Sequence, residues 1–176
     1  MGQVLSRRYQ KPPQVVLMGL DGAGKSTLLS QLQWGEKMDT SPTVGFNVAT
    51  LELDKTATMT VWDVGGQRVM RTNWRYYLDE CKALVFVVDG ADRARIGEAQ
   101  KALKKVLGEE KMKGVPVMVL VNKKDIANSM TIREVSTQLD LSSYTNRNWE
   151  VQACSAHTGL GLRQAFLSVA KMIKDQ

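Results

Sequence analysis

Cysteine and histidine are almost missing from this chain. Cys81 and Cys154 are far apart with no C-x-x-C spacing, and His157 is the single histidine. That excludes a disulfide framework, a zinc site and a histidine-rich metal centre, and points to a reducing compartment. Long apolar runs are missing too. None approaches the roughly 20 residues needed to cross a bilayer, and the N-terminus lacks the apolar core of a secretory signal, so a cytoplasmic protein is expected. Acid is absent from the first twenty residues: Arg7, Arg8 and Lys11 occur there, and the first carboxylate is Asp21. There is no internal repeat, no low-complexity tract and no nucleic-acid-binding motif, so the net charge of +6 is not assigned to DNA or RNA.

What is present suits one globular domain. The chain has 176 residues, 43% of them hydrophobic and 24% charged, which is enough to bury a sizeable core. Pro12 and Pro13 punctuate the start, separating an arm over 1–13 from a domain over 14–176. Val15–Met18, Ala83–Val88 and Val115–Val121 are nearly continuous apolar runs, the pattern of strands covered on both faces. Phe46–Leu53 and Thr58–Trp62, with Asp54 and Lys55 between them, read as a hairpin. A last strand is expected over Trp149–Cys154. Ile96, Ala99, Leu103, Val106 and Leu107 recur at helical spacing, as do Leu162, Ala165, Phe166, Val169, Ala170 and Ile173. Thr131 with Glu134 forms a capping box. The order β-α-β-β-α-β-α-β-α-β-α predicts an α/β fold: a six-stranded, mostly parallel sheet with one antiparallel edge strand and helices on both faces.

Gly19-Leu20-Asp21-Gly22-Ala23-Gly24-Lys25-Ser26 fits G-x-x-x-x-G-K-[ST] and leads from a strand into a helix through Thr27. Glycines let backbone N–H groups turn around phosphate oxygens, and the helix N-terminus favours an anion. Lys25 is expected to reach the β- and γ-phosphates, and Ser26 to ligate Mg²⁺. Alone, this motif serves ATP and GTP equally.

Asn122-Lys123-Lys124-Asp125 ends the Val115–Val121 strand, where open α/β sheets bind ligands. A carboxylate there can accept from both N1–H and the 2-amino group of guanine, donors that adenine lacks, and an unpaired buried acid would penalise adenine. Lys123 can lay its stem over the purine. In Cys154-Ser155-Ala156 a backbone N–H could donate to guanine O6. Cys154 itself reads as an inert strand residue and His157 as a loop polar residue. Trp62-Asp63-Val64-Gly65-Gly66-Gln67 places Asp63 for a water-mediated Mg²⁺ contact, Gly66 N–H for the γ-phosphate, and Gln67 to orient the attacking water. Thr43, in Pro42–Asn47, is the natural second hydroxyl for Mg²⁺. Arg68, Arg71 and Arg75 read as a solvated face opposite Met70, Trp74, Tyr77 and Leu78.

With GLDGAGKST at 19–27, PTVGFN at 42–47, WDVGGQ at 62–67, NKKD at 122–125 and CSAHTG at 154–159 assembled, the chain resembles the ADP-ribosylation-factor and Arf-like branch of the Ras superfamily from residue 14 to the end. The resemblance implies slow GTP hydrolysis, Mg²⁺, cycling between GDP and GTP forms, and a monomer served by an exchange factor, a GTPase-activating protein and effectors in membrane traffic. It also implies an exposed effector triad of Phe46, Trp62 and Tyr77, although the residues alone leave open that Trp62 and Tyr77 are core. Met1-Gly2-Gln3-Val4-Leu5-Ser6 fits M-G-x-x-x-[ST], making Gly2 a myristoylation candidate. One acyl chain binds membrane only marginally, and basic residues of the arm would add to it. The resemblance implies that the arm packs on the domain with GDP and moves to intracellular membranes with GTP. Compared with typical members, Asn47–Trp62 is about one residue longer, which leaves strand register open there. A P-loop kinase would need a phosphoacceptor pocket and lid, for which no segment is a candidate. An interaction module without turnover is disfavoured by Gln67.

Overall fold

A computed structural model describes residues 11–35, 43 and 45–176. Six strands form one sheet in the order β2-β3-β1-β4-β5-β6, with β1 at Gln14–Gly19, β2 at Phe46–Asp54, β3 at Ala57–Val64, β4 at Cys81–Asp89, β5 at Val117–Asn122 and β6 at Trp149–Ala153. All neighbours run parallel except β2, which pairs antiparallel with β3 at the edge. The main helices are α1 at Lys25–Trp34, α2 at Ile96–Leu107, α3 at Ile132–Gln138 and α4 at Leu162–Lys174.

The apolar runs are continuous because β1, β4 and β5 are covered on both sides. Val15 and Leu17 of β1 and Val85 and Val87 of β4 face one core with Leu28 of α1 and Phe166 and Val169 of α4. The alternate residues Val16, Met18, Leu84 and Phe86 face a second core with Leu103 and Val106 of α2 and Val135 of α3. Burial of each such side chain contributes about 1.5–3 kcal/mol. The edge strand β2 instead alternates: Ala49, Leu51 and Leu53 are buried, whereas Val48, Thr50 and Glu52 are exposed.

The hairpin turns at Lys55 and Thr56, one residue later than the sequence suggests. Asp54 accepts from the Thr56 N–H at 2.7 Å and from its hydroxyl at 2.8 Å, which fixes the turn locally. The pairing steps from Glu52 opposite Thr58 to Asp54 opposite Ala57. Three residues of β2 therefore face two of β3, and a β-bulge takes up the extra residue. The capping box holds by half: Thr131 accepts from the Glu134 N–H at 3.1 Å, while the Glu134 carboxylate pairs with Arg93.

The segment after β3, Arg68–Tyr77, winds as a 3₁₀-helix. Trp74 and Leu78 are buried on its inner side. The arginine face is corrected by the structure. Arg68 is solvated, with 84% of its side chain exposed, but Arg71 is turned inward at 13%. A 3₁₀ turn advances about three residues rather than 3.6, so the helical-wheel reading misplaces it.

Candidate functional site

The carboxyl ends of β1, β3 and β5 and the start of α1 surround a cleft of about 400 Å³ lined by Asp21, Gly22, Gly24, Lys25, Ser26, Thr27, Thr43, Gly66, Gln67 and Lys123. The phosphate loop from Gly19 to Ser26 forms its floor. Gly24 closes that loop at φ 95° in the left-handed region, and a Cβ there would come within 2.4 Å of the Asn122 amide, so only glycine fits. No side chain caps the N-terminus of α1 and its first turn carries no acid, leaving the amide dipoles of that turn open to an anion. Ala23 is buried beneath the loop.

Lys25 is only 6% exposed. Its ammonium donates to the carbonyls of Gly19 at 3.1 Å and Leu20 at 3.3 Å. Burial pushes its pKa below the ordinary lysine value, against the pull of Asp63 and Asp21. A buried ammonium so placed gains from an anion arriving beside it.

Hard oxygen donors converge next to it. The Ser26 hydroxyl lies 2.6 Å from Asp63 Oδ2 and 2.7 Å from Thr43 Oγ1, and Thr43 Oγ1 is 3.5 Å from the same carboxylate. Asp63 is fully buried, and its Oδ1 has no hydrogen-bond partner among the described residues. Two hydroxyls and one carboxylate with an unpaired oxygen fit a small hard cation such as Mg²⁺. Gly66 packs against the loop so closely that a Cβ would meet Gly19 O at 2.4 Å and Lys25 Nζ at 2.6 Å. Gln67, half-buried, lies at the cleft mouth.

The second half of the site comes from the ends of β5 and β6. Asn122, 1% exposed, donates to Ala23 O at 2.8 Å and accepts from the Ala156 N–H at 2.9 Å. It thus staples the phosphate loop to the loop after β6. That bond occupies the Ala156 N–H, and the Ser155 N–H donates to Leu160 O. Lys123, with φ 68°, stretches from the β5 end to Gly22 O at 2.9 Å and to Asp89 at 2.6 Å. Asp125 is exposed and accepts from Ser155 Oγ at 2.8 Å; that hydroxyl chiefly holds its carboxyl below the usual range, so it stands ionised as an acceptor. Burial raises the thiols of Cys81 to about 11 and Cys154 to about 12, which makes both unreactive. His157 is exposed.

Several participants escape sequence reasoning. Arg95 donates to the Asp21 carboxylate at 2.7 Å and to its carbonyl at 2.9 Å. Arg71 reaches the same carboxylate at 3.0 Å, Glu98 at 2.7 Å and Gly66 O at 2.8 Å. Arg95, foremost, holds Asp21 below the usual carboxylate range. With these partners the Arg71 guanidinium is committed to Asp21, Glu98 and Gly66 O. The only prior hint was the lone acid in the phosphate loop.

Outside the cleft, Phe46 stacks tilted on Trp62 with centroids 5.1 Å apart and on Tyr77 at 5.5 Å. Phe46 is exposed, Trp62 and Tyr77 are half-buried, and both of the latter lean on the second core. The triad is therefore partly core and partly surface. Gly2 lies outside the described residues. Among those described, no helix is long and apolar enough to cross a membrane.

A family model described as "ADP-ribosylation factor family" matches residues 1–173. ADP-ribosylation factor J and ADP-ribosylation factor K of Dictyostelium discoideum are 42% and 41% identical to the chain over 167 residues, covering 95% of this chain and 88% of each relative. Among solved structures, the Arl6 BBS3 small GTPase from Trypanosoma brucei, with bound nucleotide analogue GppNp, superposes with a TM-score of 0.84 at 30% identity, covering 94% of this chain and 99% of that one.

Proposed function

Because the chain belongs to the ADP-ribosylation factor family of small GTPases, a guanine-nucleotide-binding and GTP-hydrolysing family, we propose that this cleft is its nucleotide site and that it works as a slow molecular switch in membrane traffic. One observation carries the assignment of the site: Lys123, from the loop that ends in Asp125, touches the phosphate loop at Gly22 O. A single nucleotide can therefore span both halves, its phosphates over Gly19–Thr27 and its base between Lys123 and Asp125.

In this reading Asp125, kept ionised by Ser155, accepts from N1–H and the 2-amino group, while Lys123 covers the ring. Asn122 and Ala156 hold the two loops in register rather than touching the base. Lys25 neutralises the β- and γ-phosphates. Ser26 and Thr43 would hold Mg²⁺, with Asp63 behind through water; when bound, that ion supplies charge neutralisation between the phosphates. Gly66 N–H receives the γ-phosphate and Gln67 orients water for in-line attack. An activating partner would supply a guanidinium to this constellation, and its arrival accelerates such enzymes by roughly 10³–10⁵-fold.

The purified chain with magnesium should bind GDP and GTP and be indifferent to ADP and ATP in competition. Equal binding of adenosine nucleotides would end this reading. Gln67→Leu should keep GTP affinity and lose at least about 10²-fold in activator-stimulated single-turnover hydrolysis; unchanged stimulated turnover would remove Gln67 from its role.

The triad of Phe46, Trp62 and Tyr77 would meet effectors, since Phe46 follows Gly45, whose carbonyl accepts the Gly65 N–H at 2.9 Å and so links patch and sensor. We assign the arm over 1–13 to reversible membrane association through myristoylated Gly2, with the monomeric G domain over 14–176. Mass measurement of the chain from eukaryotic cells, set beside Gly2→Ala, reads out the lipid directly.

A further inference from the structure

Two glycines in series, Gly65 and Gly66, have unusual freedom to rotate their shared peptide plane. In this protein the plane is held from behind. Trp74, 3% exposed, donates its indole N–H to the Gly65 carbonyl oxygen at 2.9 Å. In a trans peptide the carbonyl and the following N–H point in opposite directions, so a bond that fixes the Gly65 oxygen also fixes where the Gly66 N–H points. Among the described residues that N–H has no acceptor. The flanking planes are tied as well. Gly65 N–H donates to Gly45 O at 2.9 Å, and Gly66 O accepts from the Asp21 N–H at 3.0 Å and from Arg71 Nε at 2.8 Å.

We propose that Trp74 is a positioning residue for the γ-phosphate: its indole N–H, by holding the Gly65 oxygen, aims the Gly66 N–H into the phosphate cleft and thereby sets the preference for nucleoside triphosphate over diphosphate. The proposal rests on the reading that Gly66 N–H meets the γ-phosphate. Trp74 touches no nucleotide. Its ring fills the second core beside Val64 and Leu78, but hydrophobic filling needs no donor there, and a phenyl ring would fill most of the same space. The donor serves the sensor. A diphosphate ends before the Gly66 N–H, so misaiming that group weakens only the triphosphate complex.

The test uses the full chain with two substitutions. Trp74→Phe removes the donor and some volume. Replacing Trp74 by β-(3-benzothienyl)alanine keeps the shape and puts sulfur where the N–H stood, so that it remains informative where the phenylalanine variant folds poorly. Dissociation constants for GDP and for a non-hydrolysable GTP analogue are measured with Mg²⁺, together with thermal melting. The expected result is a fall of about ten-fold or more in triphosphate-over-diphosphate preference for both variants, with GDP affinity within about two-fold of wild type. An unchanged ratio in the benzothienyl variant, or equal losses for both nucleotides, overturns the proposal and leaves Trp74 a core residue. A wild-type chain that binds neither guanine nucleotide overturns the functional reading and this proposal with it.

Discussion

Lys25 is the residue in which fold and chemistry meet most directly. The fold buries its ammonium and, among the described residues, gives it two carbonyls, Gly19 O and Leu20 O. Burial holds its pKa below the usual 10.5, with Asp63 and Asp21 opposing. Phosphates settling beside it, as proposed, would favour the charged form and raise that pKa again. The sign of the linkage follows. Nucleotide affinity is at full strength below the pKa of the free protein, and declines as pH climbs through the window between that depressed value and the higher bound one. GDP binding in alkaline solution should therefore take up protons, read by titration calorimetry in buffers of different ionisation enthalpy. Proton release, or no exchange at any alkaline pH, would mean that Lys25 does not meet the phosphates. The three arginines after Gln67 carry a second lesson at this scale. Arg68, Arg71 and Arg75 look alike in sequence, yet only Arg71 turns inward to Asp21 and Glu98. Its partners lie on the phosphate loop and on α2, distances that a linear reading does not measure.

At the scale of elements, periodicity made the sheet legible. Val15–Met18 and Ala83–Val88 read as doubly covered strands because nothing polar interrupts them, and the structure extends each by only a residue or two. The motifs were legible for the same reason: Gly19–Ser26, Asp63–Gln67 and Asn122–Asp125 each sit where a strand ends. What sequence could not show were bonds across the chain: Arg95 to Asp21, Lys123 to Asp89, and Trp74 to Gly65 O. Arg147 belongs to that hidden class. It donates to Met112 O at 2.9 Å, Val115 O at 3.1 Å and Leu107 O at 3.3 Å, joining the C-terminal end of α2 to the start of β5. Burial pushes its pKa down, yet a cation at a helix C-terminus also gains from the helix dipole. Arg147→Met leaves these carbonyls without their donor and should cost about 2–3 kcal/mol, read from the urea midpoint. Because Arg147 lies at the amino ends of the parallel strands, opposite the cleft, GDP affinity should stay within about two-fold of wild type. A loss of affinity as large as the loss of stability would show that the two ends of the sheet are coupled.

For the molecule as a whole, the site is assembled from loops that are distant in sequence, from Gly19 to Ala156, and held together at one end of a sheet, where core residues add polar atoms of their own: Leu20 O, Ala23 O, the Ala156 N–H and the Trp74 indole N–H. Polar ties between those loops include Asn122 to Ala23 and Ala156, Lys123 to Gly22, the Asp21 N–H to Gly66 O, and Arg71 and Arg95 to Asp21. A nucleotide would bridge the same loops, so unfolding any of them must first release it. At free GDP about a hundred-fold above its dissociation constant, with magnesium, the chain should gain about 2.7 kcal/mol of unfolding free energy, measured by denaturant titration at fixed nucleotide. ADP at equal concentration should add nothing measurable. The contrast separates two ways of using the cleft. Were the phosphate loop acting alone, both nucleotides would stabilise the fold equally, since their phosphates are identical. A gain confined to GDP requires Asp125, more than ninety residues further along the chain, to act on the same ligand as Lys25, an arrangement that the Lys123–Gly22 contact favours by bringing the two loops together.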